Sequence, residues 1–275
     1  MRGGPRIPHR LRRSCNGFNH LGHEVSTKDF FFVPLRVFLV FMPIAGNIAV
    51  IRERIERAAR QAGRPAEAVS LMAVTKTHPP ERIREAYEAG LRLFGENRVQ
   101  EFAGKADALR NLPDAAWHMI GHLQTNKAAK AAELFMAVDS VDSVKLAEKL
   151  DGTARKLGKQ MAVLIEINVG GEVAKSGVAA DSPDLEDLLM AAPRFEALRI
   201  MGLMTVPPYT EDPQDSRPFF QQVRRLRDNI ASRRLPGVGL EVLSMGMSHD
   251  FEVAIEEGST CVRVGTAIFG ERDRA

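Results

Sequence analysis

SLMAVTKTHPPERIREAYEAG (residues 70–90) contains one complete strand-and-helix unit. An apolar run of strand length, SLMAVT (70–75), ends at Lys76, and Pro79 with Pro80 prevents it from continuing. The helical pattern PERIREAYEAG (80–90) follows and ends on a glycine. A run that is apolar throughout, without alternation, is typical of a strand covered on both faces, as in a parallel sheet. The stretch therefore predicts a β-α unit of an α/β fold.

The same unit recurs along the rest of the chain. Seven more apolar runs follow the first, namely LRLFGE (91–96), AWHMIG (116–121), LFMAVDS (134–140), MAVLIEIN (161–168), LRIMGLMT (198–205), LEVLSMG (240–246) and CVRVG (261–265). Helical patterns lie between them, such as those at 141–158 and 215–234, and Ile48, Ile51 and Ile55 mark one more helix that Gly63 ends. Eight units in roughly 230 residues predict a single (β/α)8 TIM-type barrel with an extra N-terminal helix. A doubly wound open sheet is the alternative.

Residues 1–41 differ in composition from the body of the chain. They hold seven Lys or Arg and two acidic residues, a net charge of +5, whereas the remainder carries −2. A secretory signal is disfavoured because Pro34 and Arg36 interrupt the apolar stretch FFFVPLRVFLVF (30–41). A transit peptide is the alternative, since Arg is abundant and acidic residues are few. We expect residues 1–41 to be a disordered extension, or one that results from a start codon assigned too far upstream. We expect residues 42–275 to form the barrel, since the sequence from Met42 onward reads like an ordinary N-terminus.

Composition and charge limit the classes of function. The chain of 275 residues is 44% hydrophobic and 27% charged, as in an ordinary globular protein. Its body is near neutral and offers no basic stripe for nucleic acid, and the apolar stretch near its start is too short to span a bilayer. Only Cys15 and Cys261 are present, which suits a reducing compartment. We expect a cytoplasmic monomer or weak dimer that binds neither nucleic acid nor membrane.

In such a barrel the chemistry lies where strands end. A neutral lysine is the nucleophile that forms Schiff bases with aldehydes, including pyridoxal phosphate, and Lys76 follows the first strand. Taken alone, Lys76 could equally be a lysine whose stem packs on apolar surface while its charge reaches water. Asn97 follows the second strand, where it could cap a helix or face a ligand. His118 and His122 are spaced like a zinc pair, but the pattern of a zinc-binding helix is missing, and we expect no metal.

The last two strands end in residues that suit a phosphate. SMGMSHD (244–250) and RVGTAIFG (263–270) place glycines and hydroxyl residues just before helical segments. Backbone N–H groups and hydroxyls at such places bind phosphate, and in barrels this site commonly follows strands seven and eight. Helix capping by Ser248 and Thr266 would explain the same residues. Two such loops together with Lys76 favour a phosphate-bearing aldehyde as ligand.

Six motifs carry a resemblance to a known family. VTKTHP (74–79), FGENRVQE (94–101), WHMIGHLQTNK (117–127), MGLMTV (201–206), LSMGMSHDFEVAIEEGST (243–260) and VRVGTAIFGER (262–272) resemble the YggS/PROSC family of pyridoxal phosphate-binding proteins. The resemblance covers about residues 45–272 and implies a barrel like the N-terminal domain of alanine racemase. It implies that Lys76 forms the Schiff base and that Arg263 lies near the ring nitrogen. It further implies a phosphate site at Ser244, Gly246, Met247, Ser248, Gly265 and Thr266, and a pocket wall that includes Asn97 and Met204.

Two functions from different classes fit this reading. The first is a carrier that buffers pyridoxal phosphate or delivers it to apoenzymes without turnover of its own. The second is a pyridoxal phosphate enzyme, such as a racemase or decarboxylase. The carrier is favoured because the barrel motifs run almost to residue 275 with no second domain, and because neither Tyr87 nor Tyr209 is marked as a catalytic base. A carrier must also release its ligand, for which Lys127, Lys130 and Lys145 could form a second site or only a solvated face.

Overall fold

Eight parallel strands close into a barrel in chain order, each paired with the next and the last with the first. The structure is a computed structural model that describes residues 43–171 and 176–271. The strands are β1 (Ser70–Val74), β2 (Leu93–Glu96), β3 (Ala116–Met119), β4 (Ala137–Val141), β5 (Met161–Ile167), β6 (Leu198–Thr205), β7 (Val238–Met247) and β8 (Cys261–Val264). The predicted barrel is confirmed, and the open sheet is wrong.

Helices alternate with the strands and cover the outside of the barrel. They are α1 (Ile44–Gln61), α2 (Pro80–Glu88), α3 (Val99–Leu109), α4 (Ala128–Leu134), α5 (Val144–Lys156), α6 (Pro183–Ala191), α7 (Arg217–Ser232), α8 (Phe251–Glu256) and α9 (Thr266–Phe269). Short 3-10 turns occur at Ala66–Ala68, Thr125–Lys127, Ala192–Arg194 and Pro213–Ser216. Each of the eight predicted runs overlaps one strand. The fourth run starts too early, since Leu134 still belongs to α4, and β7 begins two residues before its predicted run.

The extra helix α1 packs over the last β-α units. Ile48, Ile51 and Ile55 are buried, and they share the core with residues of α8 and α9. The Asn47 side-chain amide donates to the Ile268 carbonyl at 2.9 Å, and Arg54 forms an ion pair with Glu252 at 2.7 Å. These contacts hold the short helices that follow β7 and β8, so α1 supports one side of the barrel mouth.

The described residues belong to one compact unit. The division predicted at residues 41 and 42 lies outside them, and it stays a prediction. Within residues 43–171 and 176–271, no helix is long and apolar enough to cross a membrane.

Candidate functional site

A cavity of about 330 Å³ opens at the end of the barrel where the strands finish. Its lining comes from the loops after β1, β2, β3, β6, β7 and β8 and comprises Val74, Lys76, His78, Asn97, Ile120, Val206, Met247, Ser248, His249, Arg263, Gly265, Thr266 and Gly270. Within the described part of the chain, the lining includes cations and hydroxyls but no carboxylate. We call this space the mouth cavity. The side chains that line the mouth cavity suit an anionic ligand.

The predicted site residues fall into two groups. Seven of them line the mouth cavity: Lys76, Asn97, Met247, Ser248, Arg263, Gly265 and Thr266. The other three, Met204, Ser244 and Gly246, are buried in the strands behind the cavity wall. Met204 and Ser244 are register partners on β6 and β7. These three residues therefore lie in the strands next to the cavity and do not line its surface.

Lys76 lies in a turn between β1 and α2. The strand ends at Val74, and Pro80 takes the first position of α2, so the change of direction falls on residues 75–79. Thr77 adopts a left-handed backbone conformation with φ +66°, which is rare for a β-branched residue. The His78 ring stacks on Phe269, with ring centroids 4.4 Å apart. The turn thus places a half-buried lysine in the cavity wall.

Arg263 is the buried cation of the mouth cavity. It is only 3% exposed, and its guanidinium donates to Ser244 Oγ and to the Thr205 carbonyl, both at 2.7 Å. Burial lowers the pKa of Arg263, while nearby groups including Asp139 oppose that shift. Among the described residues no carboxylate lies within ion-pairing distance of it. Two neutral acceptors therefore hold the Arg263 guanidinium in place without neutralising its charge, which can still bind an anionic or electron-rich group of a ligand.

Two loops supply the hydroxyls of the site. Ser248 and Thr266 follow β7 and β8, and Ser248 Oγ accepts from the Ala267 N–H at 3.5 Å, which brings the loops together. Neither residue caps its own helix, because Asp250 precedes α8 and Thr266 is itself the first residue of α9. Thr266 therefore caps no helix, whereas Ser248 accepts an N–H from the first turn of α9 and so caps the neighbouring helix rather than its own.

Asn97 likewise caps no helix. The residue that precedes α3 is Arg98, and it makes no side-chain cap. Of the two interpretations of Asn97, the structure favours the ligand-facing one, since the residue lines the mouth cavity.

Sequence reasoning missed several lining residues, above all two histidines. His78 is two residues after Lys76, and His249 directly follows Ser248, so both lay inside stretches already singled out. His249 Nε2 is 3.1 Å from the Glu211 carbonyl oxygen, and its ring is 5.5 Å from that of Tyr209. Proximity to Lys76 and Ser248 in the sequence was the signal that could have identified them.

Comparison with known proteins shows the family to which this chain is related. The sequence profile of the family "Alanine racemase, N-terminal domain" matches residues 47–273. A pyridoxal phosphate homeostasis protein of Aquifex aeolicus is 48% identical over 226 residues, 82% of this chain and 97% of the relative. One from Pseudomonas aeruginosa is 44% identical over 230 residues, 84% of this chain and 96% of the relative. This chain belongs to the pyridoxal phosphate homeostasis protein family.

A solved structure from the same family has a similar barrel. PipY of Synechococcus elongatus, determined with pyridoxal phosphate bound, is 38% identical with a TM-score of 0.72. The match covers 82% of this chain and all of PipY. The family resemblance expected from the six motifs is confirmed.

In this member of the family, a smaller cavity of about 230 Å³ adjoins the first one. Asn97 lines both cavities, and Arg98, His122 and Lys127 line the smaller one. Lys130, by contrast, pairs with Glu133 at 2.8 Å, and Lys145 is exposed at the start of α5. Of the three lysines considered for a second site, only Lys127 lines a cavity next to the mouth cavity.

The two histidines with the spacing of a zinc pair, His118 and His122, have separate carboxylate partners. His118 Nδ1 lies 3.0 Å from Asp139 Oδ1, and His122 Nδ1 lies 3.4 Å from Asp142 Oδ2. His118 and Asp139 line a mainly apolar cavity of about 400 Å³, together with Ser70, Leu93 and Cys261. Because these last three are the first residues of their strands, that cavity lies at the opposite end of the barrel.

Proposed function

We propose that this chain binds pyridoxal 5'-phosphate in the mouth cavity and buffers or delivers it, with Lys76 forming a Schiff base to its aldehyde. One observation carries the proposal: Lys76, Arg263 and the hydroxyls of Ser248 and Thr266 line a single cavity at the barrel mouth. Support comes from PipY, whose structure holds this cofactor, and from relatives named for its homeostasis.

The residues present fit the cofactor in size and in charge. A cavity of about 330 Å³ suits a small molecule, and small-molecule pockets commonly start at roughly 300 Å³. Ser248, Thr266, Gly265 and Met247 would hold the phosphate group. Arg263 would meet the ring nitrogen, because it is a buried cation whose hydrogen-bond partners are neutral. Asn97, which also lines the cavity, would contact the ring.

The lining supports a carrier. An arginine at the ring nitrogen leaves that nitrogen unprotonated and weakens the electron sink, whereas a carboxylate would keep it protonated and strengthen that sink. Racemases tolerate such an arginine, so this argument weighs mainly against other amino-acid chemistry. Among the described lining residues there is Arg263 and no carboxylate. The proposal further comprises a cytoplasmic monomer or weak dimer that passes the cofactor to apoenzymes.

The alternative is an amino-acid racemase or decarboxylase. One observation favours it: Tyr209 is 80% exposed and lies beside His249, which lines the mouth cavity. Tyr87 is a poor candidate for a base, because it lies on α2 with the Arg92 guanidinium 3.9 Å above its ring. Incubating the loaded protein with single enantiomers of several amino acids separates the two functions. Enantiomer or amine production that disappears in Tyr209→Phe would establish the enzyme.

The experiment that tests the binding site is a visible absorption spectrum. Protein mixed with pyridoxal phosphate and then desalted should keep a Schiff-base band, and Lys76→Ala should lose it. Lys145→Ala, which removes an exposed lysine, serves as the control and should keep the band. A band retained in Lys76→Ala would assign the cofactor to another lysine. No band in any of the three proteins would overturn the proposal.

A further inference from the structure

Lys105 is a buried lysine that holds the turn carrying Lys76. It lies on α3, is 7% exposed, and its Nζ donates to the Thr75 carbonyl at 3.0 Å and to the His78 carbonyl at 3.3 Å. These two carbonyls bracket Lys76 on either side. One ammonium group therefore joins the start and the end of the turn.

Two carboxylates, one from β2 and one from α3, also bind the Lys105 ammonium group. Lys105 Nζ is 2.8 Å from Glu96 Oε1 and 3.4 Å from Glu101 Oε1. The buried Glu96 also accepts from the Thr75 hydroxyl at 2.5 Å, and Glu101 accepts from the Thr77 N–H. Thr75, Thr77 and His78 are thus each held through a backbone or side-chain atom by this group.

Stability alone gives little reason for such an arrangement. Taking a lysine and a glutamate out of water costs about as much as their attraction returns, and apolar side chains of similar size often serve as well. Glu96 even has a buried Oε2 with no hydrogen-bond partner in the described structure. Lys105 and its two carboxylate partners instead hold the turn in one conformation, in which Thr77 has an unfavourable left-handed backbone.

We propose that Lys105 is a positioning residue that holds the 75–78 turn so that Lys76 faces the cofactor. This inference rests on the proposed function and adds a residue to it. Without Lys105, Thr77 relaxes towards the extended region, and the Lys76 side chain leaves its place in the cavity wall. The loss should appear as weaker binding of the cofactor, chiefly through faster release.

The test compares three variants by the dissociation constant and release rate of pyridoxal phosphate. Lys105→Met keeps the length of the side chain and removes its charge, and we expect affinity to fall at least tenfold. Glu101→Ala removes the half-buried acceptor of the Thr77 N–H and the more distant of the two carboxylate partners of Lys105, and it should weaken binding about threefold. Lys130→Met removes a surface lysine whose partner is Glu133, and it should change nothing.

A rescue variant separates positioning from simple destabilisation. Asparagine adopts left-handed conformations far more readily than threonine, and position 77 is exposed. Adding Thr77→Asn to Lys105→Met should therefore recover about threefold of the lost affinity, because the turn then needs less support. A merely structural role for Lys105 predicts no such recovery.

The outcomes also separate this inference from the proposed function. A wild-type protein without a Schiff-base band would contradict the proposed function itself. A wild-type band together with unchanged affinity in Lys105→Met would overturn the positioning role alone. If Lys105→Met does not fold, Lys105→Gln takes its place, because the shorter neutral side chain cannot join both carbonyls, and unchanged affinity in that variant would equally overturn the proposal.

Discussion

Gly246→Ala should destabilise the protein and disturb the mouth cavity together. Gly246 lies near the end of β7 with φ +94°, a region that costs an L-residue about 1–2 kcal/mol. An added Cβ would lie 2.6 Å from Ala254 Cβ and 2.9 Å from Phe251 Cα, so α8 must shift. Overpacking of this kind costs about 1–3 kcal/mol. The free energy of unfolding should therefore fall by about 2–5 kcal/mol.

Urea denaturation followed by circular dichroism measures this loss, and titration with pyridoxal phosphate measures its effect on binding. The backbone must move next to Met247 and Ser248, so affinity should fall about tenfold, equivalent to roughly 1.4 kcal/mol. Gly152→Ala is the matched control, because Gly152 lies inside α5 with nothing within 4 Å of a new Cβ. It should stabilise the protein by about 0.5–1 kcal/mol. Equal stability of the two variants would refute the steric reasoning.

Three further predictions concern stability, reactivity and transfer. The Arg54 guanidinium lowers the pKa of Glu252 in the folded protein. At a pH above about 4.3, the pKa of an unfolded glutamate, Arg54→Met should therefore lower the free energy of unfolding by up to about 1 kcal/mol. This difference should vanish as the pH falls below that value through the lower folded pKa, as urea denaturation at pH 7 and pH 3 would show. Burial raises the pKa of Cys261 to about 12, so iodoacetamide at pH 8 should label this residue only after unfolding, as peptide mass spectrometry would reveal. Lys127→Met should slow transfer of the cofactor to an apoenzyme severalfold while Lys145→Met leaves it unchanged, and equal rates would remove any role for the smaller cavity.

The barrel was predictable because its strands are buried on both faces. Runs such as MAVLIEIN (161–168) are apolar almost throughout, and the helical patterns between them have a different period, so each unit stands out. Boundaries were less accurate for a physical reason. Leu134, Phe135 and Met136 are apolar like a strand, yet Leu134 ends α4, and a sequence pattern does not show where one apolar element passes into another.

The site was predictable in outline because strand ends converge at one mouth. It was not predictable in detail, because residues adjacent in sequence point to opposite sides of a strand. Ser244 and Met247 belong to one motif, yet Ser244 lies behind the wall and holds Arg263, whereas Met247 lines the cavity. The choice between these places depends on the partner strand, which a single sequence does not reveal.

Lys105 shows why supporting residues are harder to find than lining ones. On α3 it follows Glu101 at a four-residue spacing, which normally indicates an exposed ion pair on a helix surface. The residue is buried instead, because the turn after β1 lies over this part of α3 and offers it the Thr75 and His78 carbonyls. Those acceptors are backbone groups about 30 residues away in sequence, and backbone groups have no signature in the sequence. A residue whose partners are main-chain atoms of a distant turn is therefore recognised only from the fold, even when it holds the lysine on which the proposed function depends.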